Sequence, residues 1–235
     1  MIAISDYFQK ITDLIRPGRE DAGLIQPESA ISKKTSISEC PFVVFDTELS
    51  GLNVNKDFIV SVGAVKMTGS IIHISREFYR LVRPSGEMSK KSVEIHGIMP
   101  AELSDQECMD KVLPDFMEFI SDSVLVGHFV NIDIKFINRA MKQIYSGKLT
   151  NFAADTHSIH EWLYENGTDF RKHYRGGSPK TDLFSLASHY GITLNSAHDA
   201  LIDAFITAQL FQKFLYFLHA EGMQTLGELL DIGRA

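Results

Sequence analysis

The stretch that most constrains the fold is Phe42-Val43-Val44-Phe45-Asp46-Thr47-Glu48. Its β-branched and aromatic run predicts a buried strand, and it ends in two carboxylates one residue apart. Side chains two apart on a strand share a face, so Asp46 and Glu48 project together from a strand that is otherwise core. Two anions about 4 Å apart repel by on the order of 4 kcal/mol at a surface-like dielectric. Such a pair needs a shared proton or a bound cation. All-oxygen donors favour a hard ion such as Mg²⁺ or Mn²⁺. Two solvated acids at an ordinary strand end fit this pair equally well, so the remaining residues decide.

Around this strand the pattern predicts a mixed α/β sheet. Residues 58–67, with Val60, Val62 and Ala64 on one face, and residues 71–82 read as strands joined by a Thr68-Gly69-Ser70 turn. With the first strand they make an antiparallel meander. Two short apolar strands follow, Val124-Leu125-Val126 and residues 152–154, each leading into a helix. Those helices span 132–145, with Ile132, Phe136, Ala140 and Ile144 in helical register, and 155–164. Further helices are predicted over 110–120 with Asp110 as cap, 182–190 ended by Gly191, and 197–220 with Asp199 at its start, plus a turn or two over 225–230. Strands first, then alternating strands and helices, predict helices on both faces of one sheet. Residues 166–180 read as a loop. Its run Phe170-Arg171-Lys172-His173-Tyr174-Arg175 is either solvated or a guide for a single strand.

Residues 1–15 predict an amphipathic helix capped by Ser5, with Tyr7, Phe8, Ile11, Leu14 and Ile15 on one side, stopped by Pro17-Gly18. A polar linker follows. The expected organisation is a helix and linker over 1–41, a main domain over 42–220 and a tail with a short helix over 221–235. Hydrophobic residues make up 44%, enough for a core of this kind. The net charge of -7 argues against a basic nucleic-acid clamp, though not against an enzyme that meets phosphate through bound metal. Two cysteines, Cys40 and Cys108, fit a reducing compartment. No apolar run is expected to reach the ~20 residues of a membrane span, and no basic-then-apolar leader opens the chain. A cytoplasmic protein with no membrane contact is expected.

Two more acids stand out. Asp133 closes Gly127-His128-Phe129-Val130-Asn131-Ile132-Asp133, and Asp203 lies five residues after His198 in the last long helix. Together these segments resemble the three motifs of the DEDDh 3′→5′ exonucleases, the family of the proofreading epsilon subunit of bacterial DNA polymerase III, RNase T and oligoribonuclease. The first is Phe45-Asp46-Thr47-Glu48-Leu49-Ser50-Gly51-Leu52, the second runs from Gly127-His128 to Asp133, and the third is His198 with four residues before Asp203. Smaller echoes are Ile95-His96-Gly97-Ile98 and Ala154-Asp155-Thr156. The resemblance covers about residues 42–220.

It implies an RNase H-like five-stranded fold in which Asp46, Glu48, Asp133 and Asp203 hold two divalent cations, Mg²⁺ or Mn²⁺. One would activate a water and the other stabilise the leaving 3′-oxygen. His198 would be the general base, because imidazole exchanges protons near neutrality. Thr47, Leu49, Ser50 and Leu52 of the first motif would meet the terminal nucleotide, with Leu52 either a wedge against its base or a core residue. Ile95, His96, Phe129 and Ile132 would line the other side. Three departures bear on that pocket: Leu49 stands where the family often has Thr, Phe129 where it has Asn, and Ile132 where it has Phe. The expected ligand is a single-stranded or frayed 3′ end, DNA slightly before RNA. A polymerase partner or a homodimer is also implied. A noncatalytic end-binding module is the rival, but binding alone has no use for His198 beside four acids.

Overall fold

The computed structural model describes residues 31–174, 180–193 and 198–234 of the 235-residue chain. The predicted helix over 1–15, the first part of the linker and Arg175 lie outside the described residues. Five strands, β1 (Pro41–Leu49), β2 (Ile59–Thr68), β3 (Ile71–Leu81), β4 (Val124–Gly127) and β5 (Ala153–Asp155), form one sheet in the order β3-β2-β1-β4-β5. The first three pair antiparallel, and β4 and β5 run parallel to β1. This is the mixed RNase H-like sheet that the motifs imply. Gly69, at φ 52°, makes the tight β2–β3 turn.

β1 is central and buries both faces. Its even-numbered apolar side chains face helix α8 (Ala200–Ala220), where the Phe42 and Phe211 rings meet edge-on at 5.1 Å. Its odd-numbered ones, Val43 and Phe45, face helices α3 (Met109–Ile120) and α4 (Asn131–Tyr145), where Phe45 packs on Phe116 at 5.7 Å. Each such side chain contributes about 1.5–3 kcal/mol by leaving water. Asp46 and Glu48 continue the even-numbered face, so the acids point toward α8.

Gly63 of β2 pairs with Asp46. A Cβ there would lie 2.2 Å from the Ala200 carbonyl carbon, so only glycine lets the start of α8 press onto the sheet beside the acids. α8 itself departs from expectation. At 21 residues it is long and apolar enough to cross a membrane by length and composition. Its Phe211, Phe214 and Leu218 are buried in the protein core.

The remaining helices are α1 (Lys90–His96), α2 (Pro100–Leu103), α5 (Thr156–Asn166), α6 (Thr168–His173), α7 (Leu183–His189) and α9 (Leu226–Ile232). α6 corrects the first part of the expected loop over 166–180, of which residues 175–179 lie outside the described residues. Phe170 is fully buried among Tyr190, Phe214 and Phe217, and that burial folds the segment. Lys172 pairs with Asp169, and Arg171 donates to the Glu165 carbonyl. The aromatic half of the basic–aromatic run is therefore core. α3 starts at Met109 with Cys108 in the cap position, and Asp110 sits in its first turn instead of capping it. Both described flanks pack on the same core. Leu226 and Leu229 of α9 are buried, Gly227 N–H donates to Lys33 O, and Ser36 bridges to Thr225.

Candidate active site

The site sits where β1 outruns β4. Their pairing covers Phe42–Val44 against Val124–Val126, and β4 ends at Gly127. Beyond that point the Thr47 N–H is taken by Asp133 Oδ1 at 3.1 Å, and the Thr47 hydroxyl donates to the same oxygen. Asp133 lies in the first turn of α4 and Asp203 in the first turn of α8. Acids from three elements thus converge at the carboxyl end of the parallel strands, where open α/β sheets bind ligands. Asp199 caps α8, accepting the Leu201 and Ile202 N–H groups.

Glu48, Asp133 and Asp203 are buried, and Asp46 is partly so. Burial pushes Asp46 well above the carboxylate range, and the charges of Asp133, Glu48 and Asp203 add to it. Glu48 is raised to about 7 by burial and then by Asp203 and Asp133. Burial likewise raises Asp133 to about 7 against the pull of the Thr47 hydrogen bonds, and Asp203 to about 7 against the His198 N–H that it accepts. Asp203 Oδ1 is buried with no hydrogen-bond partner. Donor atoms of Glu48, His198 and Asp203 lie within 4.8 Å of one another. A cluster of mutually repelling acids with an orphaned oxygen fits a hard cation. His198 holds a left-handed backbone, φ 65°, a strain that non-glycine residues carry mostly at functional positions. Its ring stands edge-on to Phe184 at 5.1 Å.

Four of the expected substrate contacts are exposed apolar side chains: Leu52 is 78% exposed, Ile95 48%, Ile132 38% and Phe129 37%, so Leu52 is not a core residue. Phe129 also has a positive φ, 55°. Its N–H donates to Asp155 Oδ1 at 3.0 Å, and its ring lies 4.4 Å from that of His157. His96 is buried. Its Nδ1 accepts the Ile98 N–H at 3.1 Å, which leaves the proton on Nε2, and Nε2 has no partner. Burial and the nearby His198 lower its pKa.

Three of the expected substrate contacts turn inward instead. Thr47 is buried and bonded to Asp133. Ser50 is buried too; its Oγ accepts the Phe58 N–H at 3.1 Å and faces Asp57. Leu49 packs against the core beneath the loop. Alternation explains Thr47: it lies between the two acids on the opposite face, toward α4, and that signal was available in the sequence. Phe184 and Gly63 had no such signal, because their roles depend on distant segments, whereas Asp155 stood only within the Ala154-Asp155-Thr156 echo. His128 bonds Thr156 Oγ1 at 2.9 Å and Thr181 O at 2.8 Å, and burial drives its pKa down to about 4. It braces the β4–α4 turn.

A sheet of this order with such an end defines an RNase H-like nuclease fold. Solved structures share it: Escherichia coli exonuclease I in complex with a dT13 oligonucleotide (TM-score 0.66, 17% identity, 78% of this chain and 43% of that one) and exonuclease X in complex with 5′-overhanging duplex DNA (0.57, 20%, 82% and 99%). The sequence profile of the exonuclease family, RNase T type, matches residues 43–211. The DNA polymerase III epsilon subunit of Aquifex aeolicus is 33% identical over 186 residues, covering 79% of this chain and 86% of its own length. The PolC-type DNA polymerase III of Thermotoga maritima is 31% identical over 199 residues; the match spans 85% of this chain but only 14% of that protein. The chain belongs to this exonuclease family and is a 3′→5′ exonuclease.

Proposed function

We propose that the chain uses two divalent cations to trim single-stranded or frayed 3′ ends, DNA before RNA, releasing nucleoside 5′-monophosphates. The observation that carries this reading is the convergence of Asp46, Glu48, Asp133 and Asp203 from three elements, with Asp203 Oδ1 buried and unpartnered. Those four carboxylates are the proposed cation ligands. Bound there, Mg²⁺ or Mn²⁺ would neutralise the cluster and supply electrophilic stabilisation at the phosphoryl group.

His198 takes the proton from the attacking water as the new P–O bond forms and the bond to the 3′-oxygen breaks. Its strained backbone and the edge of Phe184 fix where the imidazole stands. Thr47 holds Asp133 in one orientation by two hydrogen bonds. Leu52, Ile95, Phe129 and Ile132 form the apolar rim that receives the terminal nucleotide, with Phe129 free to stack on a base. The preference for DNA is supported by the relatives, which are named as DNA polymerase III proteins. They also support a polymerase as partner.

Matched 5′-labelled single-stranded DNA and RNA oligomers, incubated with Mg²⁺, Mn²⁺ or chelator, test the proposal. The expected result is a ladder shortening from the 3′ end, faster on DNA and abolished by chelator. Faster loss of RNA would make the chain an RNA-trimming enzyme. No cleavage by folded protein in either metal would leave a noncatalytic end-binding module.

A further inference from the structure

Leu52 projects from a loop, residues 50–58, that closes β1 onto β2. A large apolar side chain 78% exposed at a loop tip is normally free to swing. Here the loop is bound internally. Ser50 N–H donates to Phe58 O at 2.9 Å, Phe58 N–H to Ser50 Oγ at 3.1 Å, and Asn53 N–H to Asp57 Oδ2 at 2.8 Å. A Cβ on Gly51 would fall 2.5 Å from the Asp57 carboxylate, so the loop is wound tightly around that side chain. Leu49 at its base and Val54 within it pack on the core.

One residue from outside the loop completes the arrangement. Arg139 of α4 sends Nη1 to the Val54 and Asp57 carbonyls, both at 2.5 Å, across more than eighty residues of sequence. Backbone carbonyls at a loop crest have no strand to pair with, and a guanidinium reaches two of them at once. Arg139 also lies on the helix that carries Asp133, less than two turns further along. The loop that bears Leu52 and the helix that bears a proposed cation ligand are therefore joined through one side chain.

We propose that Arg139 is a positioning residue of the 3′-end pocket. It acts through the Val54 and Asp57 carbonyls to hold Leu52 in place against the terminal nucleotide. This rests on the reading of Leu52 as the residue that meets that nucleotide. Arg139 itself touches neither substrate nor cation.

The test combines the variants Leu52→Ala, Arg139→Met, Arg139→Lys and the double variant Leu52→Ala/Arg139→Met, each checked for an unchanged melting temperature. The first readout is tryptic cleavage after the exposed Lys56, which reports loop order without any activity. The second is KM and kcat on a 5′-labelled DNA single strand. Arg139→Met should speed cleavage after Lys56 and raise KM about tenfold with kcat nearly kept, as Leu52→Ala does for KM. Arg139→Lys, which keeps the charge on a shorter side chain without the planar guanidinium, should fall between. The double variant should be no worse than Leu52→Ala alone, since the two residues act in series. Cleavage after Lys56 that ignores Arg139→Met would overturn the anchoring. KM effects that add in the double variant would overturn action through Leu52. If Leu52→Ala leaves KM at the wild-type value, the reading of Leu52 falls and the positioning role falls with it, whatever the protease finds.

Discussion

From Phe42 to Phe45 every β1 side chain is apolar and fully buried, Phe42 and Val44 packing on one side of the sheet and Val43 and Phe45 on the other. Immediately after them the same strand carries Asp46 and Glu48, whose neighbours are further carboxylates. The first half stabilises the protein by removing hydrocarbon from water. The second half destabilises it by crowding acids where water is scarce. Stability and chemistry are thus divided along one strand. Substitutions in the two halves should have opposite signatures.

The largest effect is expected at the acidic half. Asp203→Asn should cut turnover by on the order of 10³-fold or more, while the melting temperature of the metal-free protein stays level or rises. Steady-state cleavage rates and a thermal melt in chelator check both parts. A near wild-type rate in saturating Mn²⁺ would break the division. In the apolar half, Phe42→Ala should cost about 3–5 kcal/mol of stability, read by denaturant unfolding. The rate per folded molecule should be largely kept.

A smaller effect is expected where the halves meet. Thr47→Val keeps the shape but removes the hydroxyl bond to Asp133, and should weaken cation affinity by about 10- to 100-fold. Mn²⁺ titration reads this directly. The least effect is a drift with pH. Glu48, Asp133 and Asp203 are raised to about 7 in the folded protein, well above the ordinary carboxylate range of the unfolded chain. Between those limits the folded state binds more protons, so metal-free stability is greatest at low pH and is lost as pH rises toward 7. Melts across that window should fall with pH in chelator. With Mg²⁺ or Mn²⁺ the fall should flatten or reverse, because the cation replaces the protons.

Much of this division was legible in the sequence. An unbroken β-branched and aromatic run marked β1, and its two terminal acids broke the apolar rule on the face where that is costly. Asp133 was visible as an acid at a helix start, and Asp203 as an acid within a mostly apolar helix. What could not be read depends on contacts between distant segments. Phe170 is a single buried aromatic among polar neighbours, so α6 shows no periodicity. Gly63 looks like any strand glycine until the start of α8 lies on it. Arg139 reads as one more charge on a helix surface until the loop over 50–58 is placed beside it.

The central claim, that the acidic end of β1 with α4 and α8 forms a working dication site, is tested most directly by calorimetric titration of Mn²⁺ into the wild-type protein and into Asp46→Asn, in two buffers of different ionisation enthalpy. The account predicts two ions per chain, with protons released below pH 7, and loss of at least one ion in Asp46→Asn. Binding that is absent at millimolar Mn²⁺, or indifferent to Asp46, would contradict it.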